Sequence, residues 1–237
     1  MENLIGLCGT LALLLLVGSF LGLINRQKFV LHWLLMAALL VAVNDALLLR
    51  VYGIIPHFLG GDWNWQGKIF ALGATLAIAA LPNFGWGRSG LTFAQHRGSL
   101  KAVFPILLLY FMFFLGMASI FPNDKSTGEE IAFQLTMPGI EEEPFYRGIL
   151  LLAFDRAFTG RKRLLGVEWG WGAILSSLQF GMAHAFGYSD HQFSFDPMTM
   201  MLTALPALLI VWVRLRTGSV LLPIIAHNFG NSIFLFI

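Results

Sequence analysis

Runs of about twenty apolar residues recur along this chain, and that is the length an α-helix needs to cross the hydrocarbon core of a bilayer. Eight such segments are legible, at about 4–24, 30–49, 69–86, 102–121, 129–154, 168–187, 198–213 and 219–237. The connections are mostly brief, and no internal repeat or low-complexity tract interrupts them. These features predict an all-α polytopic membrane protein, one transmembrane domain over 1–237 built as a bundle of about eight helices around a polar cavity. Only 12% of the residues are charged, about half the share usual in a soluble domain. A net charge of +2 and the lack of a long basic run give no nucleic-acid-binding surface. Cys8, the single cysteine, reads as a small apolar residue of the first helix. That helix has no basic n-region before it, which marks it as a span rather than a cleaved signal. Gly18 and Gly22 form a small-xxx-small pair there, which lets a neighbour approach closely.

Basic residues follow every second segment: Arg26 and Lys28, then Arg88, Arg97 and Lys101, then Arg156, Arg161, Lys162 and Arg163, then Arg214 and Arg216. By the positive-inside rule both termini lie outside and the basic loops in the cytoplasm. The expected location is a prokaryotic plasma membrane, or the endoplasmic reticulum membrane in a eukaryote.

Ionisable groups inside a bilayer are costly, so each is a candidate functional group. Four places qualify. In "EEEPFYR" (141–147), Glu143 and Arg147 are spaced i,i+4 and can pair, while Glu142 points about 100° away on a helix. A carboxylate in that setting suits general-base work, and an Arg–Glu tie between helices is the structural alternative. In "FGMAH" (180–184), Phe180 and His184 share a helix face, which an ordinary packed histidine also explains. In "HNFGN" (227–231), His227 and Asn231 are again i,i+4. They can polarise a carbonyl and donate to an oxyanion, or simply bond across helices. Asn44 and Asp45 have nothing at a catalytic spacing and read as a structural polar clamp. His32, His57, His96 and His191 lack partners at ligand spacing. HExxH, GxSxG and P-loop signatures do not occur.

Taken in order, Glu142-Glu143-xxx-Arg147, Phe180-xxx-His184 and His227-xxx-Asn231 resemble the CPBP family of intramembrane proteases. That family includes type II CAAX prenyl endopeptidases, bacteriocin-linked bacterial relatives and lysostaphin-resistance-protein-A-like proteins. The stretches "MPGIEEEPFYRG", "SSLQFGMAH" and "TGSVLLPIIAHNFGN" carry the likeness, which covers about 100–237 as a catalytic core. The first three helices carry no diagnostic motif. The resemblance implies an intramembrane endopeptidase acting on a membrane protein or a prenylated, bacteriocin-type or pheromone-type peptide. It implies Glu142 as the base that activates water, and His184 as a residue that holds that water. His227 and Asn231 would be the oxyanion donors, with Glu143, Arg147 and Phe180 in support. Glu141 falls outside the motif and takes no role. Pro144, directly after the second glutamate, is a departure that re-aims the carboxylates if it kinks the helix. If the reaction is that of a metalloprotease using zinc, Glu142, His184 and His227 are the candidate ligands; a metal-free Glu–His–Asn mechanism is preferred. The alternatives are a non-proteolytic immunity or scaffold protein of the same fold, and a proton-coupled transporter.

Overall fold

A computed structural model describes residues 1–121 and 126–237. The described residues are mostly helical. The helices are α1 (Glu2–Ile24), α2 (Leu31–Leu48), α3 (Trp65–Ala80), α4 (Ser99–Ile120), α5 (Gly128–Gln134), α6 (Met137–Glu143), α7 (Leu151–Ala157), α8 (Trp171–Ala185), α9 (Pro197–Thr217) and α10 (Leu221–Ser232). A π-helical segment, Pro144–Leu150, joins α6 to α7. Among the described residues four helices, α1, α2, α4 and α9, are long and apolar enough to cross a membrane, and α10 begins a shorter apolar helix. The all-α membrane fold read from the sequence is therefore what the chain forms.

The outer faces match a lipid solvent. Leu16 and Phe20 of α1, Leu35 and Leu39 of α2, Phe104 and Leu109 of α4, and Leu205 of α9 are all exposed. In water so much contiguous apolar surface would drive association; against acyl chains it is the stable arrangement. The inward faces pack Leu34, Val41, Phe145, Ile149, Leu150 and Phe154 into one buried cluster. Gly18 and Gly22 do admit close neighbours, since a Cβ there would collide with Leu34 and Phe29.

Several boundaries differ from the sequence reading. The span expected over 129–154 is broken. α5 ends at Gln134, and α6 restarts at Met137 with Pro138 in its first turn, where a missing N–H costs nothing. Glu142 is thus the sixth residue of its helix, about 8 Å from the start, rather than the 20 Å expected from a start at Glu129. The helix of the third segment begins at Trp65, where Asn64 caps it by accepting the Gly67 N–H at 3.1 Å. Two segments read as plain connections form hairpins. Lys162–Leu164 (β1) pairs with Val167–Trp169 (β2), and Phe186–Ser189 (β3) pairs with Gln192–Phe195 (β4). Their two-residue turns, Leu165–Gly166 and Asp190–His191, have positive φ at both positions, the geometry that matches strand twist in tight hairpins.

The basic loops gather at one end. Thr159 N–H donates to Lys28 O at 2.9 Å, Arg214 Nη2 to Arg88 O at 3.2 Å, and Arg216 Nη1 to Gly166 O at 3.3 Å. The Arg156 guanidinium lies 4.5 Å from the Trp33 ring centre.

Candidate active site

Glu141, Glu142 and Glu143 close α6, and the chain then passes into the π-helical turn. Pro144 has no N–H to continue an α-helical ladder. The chain answers with wider turns, in which Leu151 N–H reaches the carbonyl of Tyr146 five residues back. π-segments of this kind are frequent at functional sites. The Arg147 carbonyl accepts from Arg214 Nε of α9 at 3.1 Å, which ties the segment to a neighbouring helix.

The pairing that Pro144 put in question is present. Arg147 Nη1 lies 3.1 Å from Glu143 Oε1, and both side chains are buried. The same oxygen accepts from His227 Nδ1 of α10 at 2.7 Å. The Arg147 guanidinium stacks 4.4 Å from the Phe180 ring centre, a cation–π contact that desolvation strengthens. Phe180 also packs edge-on to His227 and beside His184, with ring centres 5.7 and 4.6 Å away. His184 is fixed through Nδ1, which donates to the Phe180 carbonyl at 2.8 Å.

The other face of α6 holds a second charge cluster. Lys68 of α3 reaches Glu141 Oε2 at 2.9 Å and also bonds to Glu142 Oε1. The second oxygen of Glu142 has no hydrogen-bond partner and faces His227 Nε2 at 3.6 Å. Glu143, Arg147, Phe180, His184, His227 and Asn231 line one cavity of about 150 Å³. It adjoins an open groove of about 480 Å³ that also contains His184 and Asn231. The three sequence motifs, spread over ninety residues, thus converge.

Residues 124–233 match the family model for the type II CAAX prenyl endopeptidase, Rce1-like. That match makes residues 124–233 similar to the Rce1-like family. No curated protein and no solved structure matches the chain. The Rce1-like segment contains all three motifs and lies inside the 100–237 core read from the sequence; α1, α2 and α3 lie before it.

Zinc does not fit the Rce1-like site as it stands. Among the described residues no group of three His, Cys, Asp or Glu is placed to hold a metal ion. Glu142 is bonded to a lysine ammonium and His227 Nδ1 to Glu143. A dication at Glu142 would face that ammonium across one carboxylate. The candidate ligands Glu142, His184 and His227 lie near one another, and among the described residues they do not form a group placed to hold a metal ion.

Four contributors escaped the sequence reading. Lys68 was missed because the third span was drawn from residue 69; a lone lysine at the edge of an apolar helix was the signal. Glu141, given no role, is fully buried and paired. Asn228 accepts the Gly139 N–H at 2.7 Å and pins α6 against α10, where a Cβ on Gly139 would clash. Gln134 Oε1 accepts from Asn231 Nδ2 at 3.3 Å and orients that amide. Asn44 is buried in α2, and Asp45 accepts from the Tyr52 hydroxyl at 2.9 Å, consistent with a structural clamp.

Proposed function

We propose that this Rce1-like chain is an intramembrane endopeptidase that hydrolyses a peptide bond of a membrane-associated protein or peptide. The observation that carries the reading is the free oxygen of Glu142 facing His227 Nε2 at 3.6 Å, beside a cavity that holds His184 and Asn231.

Glu142 takes a proton from water as the oxygen attacks the scissile carbonyl carbon. The carbonyl π-bond opens to an oxyanion. Collapse of the tetrahedral intermediate breaks the C–N bond, and Glu142 returns the proton to the leaving amine. His184 suits the task of holding water. Its Nδ1 proton is committed to a carbonyl, which only accepts, so Nε2 of the neutral ring offers a lone pair. By the same logic His227 gives its Nδ1 proton to Glu143, so Nε2 donates to the oxyanion only as the imidazolium. Asn231 adds an amide N–H beyond the one given to Gln134. Activity then requires an ionised Glu142 and a protonated His227, and the rate falls on both sides of an optimum.

The test is release of the C-terminal tripeptide from a farnesylated CAAX peptide by wild type, Glu142→Ala and His227→Ala in liposomes. Wild type should cleave, and Glu142→Ala should lose roughly 10²–10⁴-fold, the scale of general-base catalysis. Equal cleavage by wild type and Glu142→Ala would overturn the mechanism. Cleavage of an unprenylated membrane peptide alone would redirect the substrate class to bacteriocin or pheromone precursors. The convergence of basic loops at one end supports a cytoplasmic placement for that end and both termini outside. A reporter fused to the C-terminus and found active in the cytoplasm would reverse it.

A further inference from the structure

Among the described residues, the lysine that reaches the proposed base comes from outside the Rce1-like segment. Lys68 lies in the first turn of α3, and its side chain is only 12% exposed. It touches two carboxylates at once, Glu141 Oε2 at 2.9 Å and Glu142 Oε1. Glu141 is fully buried. A lysine sharing itself between a buried glutamate and a half-buried one is costly to desolvate, and a plain α3–α6 tie needs only one of them.

We infer that Lys68 is a positioning residue of this site: shared with Glu141, its ammonium holds one oxygen of Glu142 so that the other faces His227, and keeps that carboxylate ionised without quenching it. The arrangement follows from charge arithmetic. Glu141, Glu142 and Lys68 sum to one negative charge, and Glu143 with Arg147 to none. Without Lys68 two adjacent carboxylates would share a poorly hydrated space, and one would take a proton. Without Glu141 the ammonium would belong to Glu142 alone and weaken it as a base. The groups facing Glu142 are Lys68 from α3, His184 from α8, His227 from α10, Glu141 from its own helix and Tyr146 from the π-helical segment; Asn44 of α2 meets Glu141, and Asp45 of α2 and Arg147 act on Tyr146. Lys68 is the cation bonded directly to Glu142. Arg147 is engaged by Glu143.

The kinetic part of this inference rests on the endopeptidase reading, so the experiment has an arm that needs no turnover. Infrared spectra of the full chain in liposomes would be compared for wild type, Lys68→Met, Lys68→Arg, Glu141→Gln and the Lys68→Met/Glu141→Gln double variant. Near neutral pH, Lys68→Met should gain a protonated carboxyl band that Lys68→Arg and the double variant lack. In the cleavage assay the acidic limb of the pH–rate profile should rise by about 1–2 pH units in Lys68→Met, the usual effect of losing a neighbouring opposite charge. The limb should return toward wild type in the double variant. A purely structural tie is not repaired by deleting its second partner, whereas a charge balance is.

If Lys68→Met fails to fold, Glu141→Gln still decides, because its acidic limb should move to lower pH. No new carboxyl band in Lys68→Met, or an unmoved limb in Glu141→Gln, would overturn the inference. The band changes without peptide cleavage by wild type would uphold the charge sharing and discard the protease assignment.

Discussion

Glu142 and Glu143 are adjacent in sequence, yet they point about 100° apart on one helix and enter two charge sets that meet only at His227. Glu143 sits in the set bound to an arginine and a histidine through one oxygen, while its Oε2 has no hydrogen-bond partner. Oε1 takes Arg147 at 3.1 Å and His227 at 2.7 Å, and the arginine is capped by the Phe180 ring. Glu142 sits in an open one, with one oxygen on a shared lysine and the other unpartnered toward His227. Fixed charges with matched partners hold helices in register. A carboxylate whose free oxygen faces a histidine nitrogen, as Glu142 Oε2 faces His227 Nε2 at 3.6 Å, is poised to take a proton. The two faces therefore divide scaffold from chemistry, and Arg147 reaches back to Glu143 from within the π-helical segment that starts at Pro144.

The largest effect that would test this division is on stability. Arg147→Met leaves Glu143 buried beside a histidine with no permanent cation. Breaking a buried pair in this way costs about 3–5 kcal/mol. Glu142→Gln removes charge from the open set, where Lys68 still has Glu141, and should unfold much closer to wild type. Denaturant unfolding of both variants in one detergent measures the difference. If Glu142→Gln is as destabilised as Arg147→Met, the division into scaffold and chemistry fails.

A smaller effect is expected where α6 meets α10. Asn228→Ala strands the buried Gly139 N–H, a loss of about 1–3 kcal/mol, and lets α6 shift against His227. The Glu143–His227 contact should loosen, so His227 should become more reactive toward a carboxylating reagent such as diethyl pyrocarbonate. Wild-type stability together with wild-type reactivity would show that Asn228 does not register the two helices.

What was legible in the sequence tracks how local each interaction is. The Glu143–Arg147 pair and the Phe180–His184 neighbours follow from i,i+4 spacing alone. The convergence of three motifs was expected from a resemblance, and the cavity they share has its physical cause in α6, α8 and α10 packing around the π-turn. Lys68 was invisible to spacing rules because it meets its partners across more than seventy residues of chain. The break at Leu135–Thr136 was hidden for another reason. Residues 129–154 are apolar enough to read as one span, and hydropathy does not register that Pro138 fits only the first turn of a helix. The hairpins escaped because their turns place Leu165 and His191 at positive φ, where turn chemistry favours glycine or asparagine.

A third carboxylate sharpens the comparison by having no cation partner among the described residues. Glu129 of α5 stands at the surface and accepts the backbone N–H groups of Asp62 (3.1 Å) and Trp63 (3.2 Å) and the indole N–H of Trp65 (3.0 Å). The Asp62 and Trp63 N–H groups, ahead of the indole, hold its carboxyl below the usual carboxylate range. A depressed value means that the folded state favours the ionised form. The stabilisation is therefore present above the unfolded carboxylate value of about 4.3 and disappears as pH falls through the lower folded value. Around it, Trp63 stacks on Phe133 at 5.0 Å and Trp65 meets the same ring edge-on at 5.1 Å. These contacts keep the loop in place when the carboxylate is lost, so the effect should be local. Glu129→Gln should speed amide exchange at residues 62, 63 and 65 at neutral pH, after correction for intrinsic rates. Wild type should approach the same protection only on acidification. Exchange that spreads into Lys68 and the rest of α3 would mean that this surface carboxylate also steadies the lysine that reaches Glu142, joining the surface loop to the open charge set.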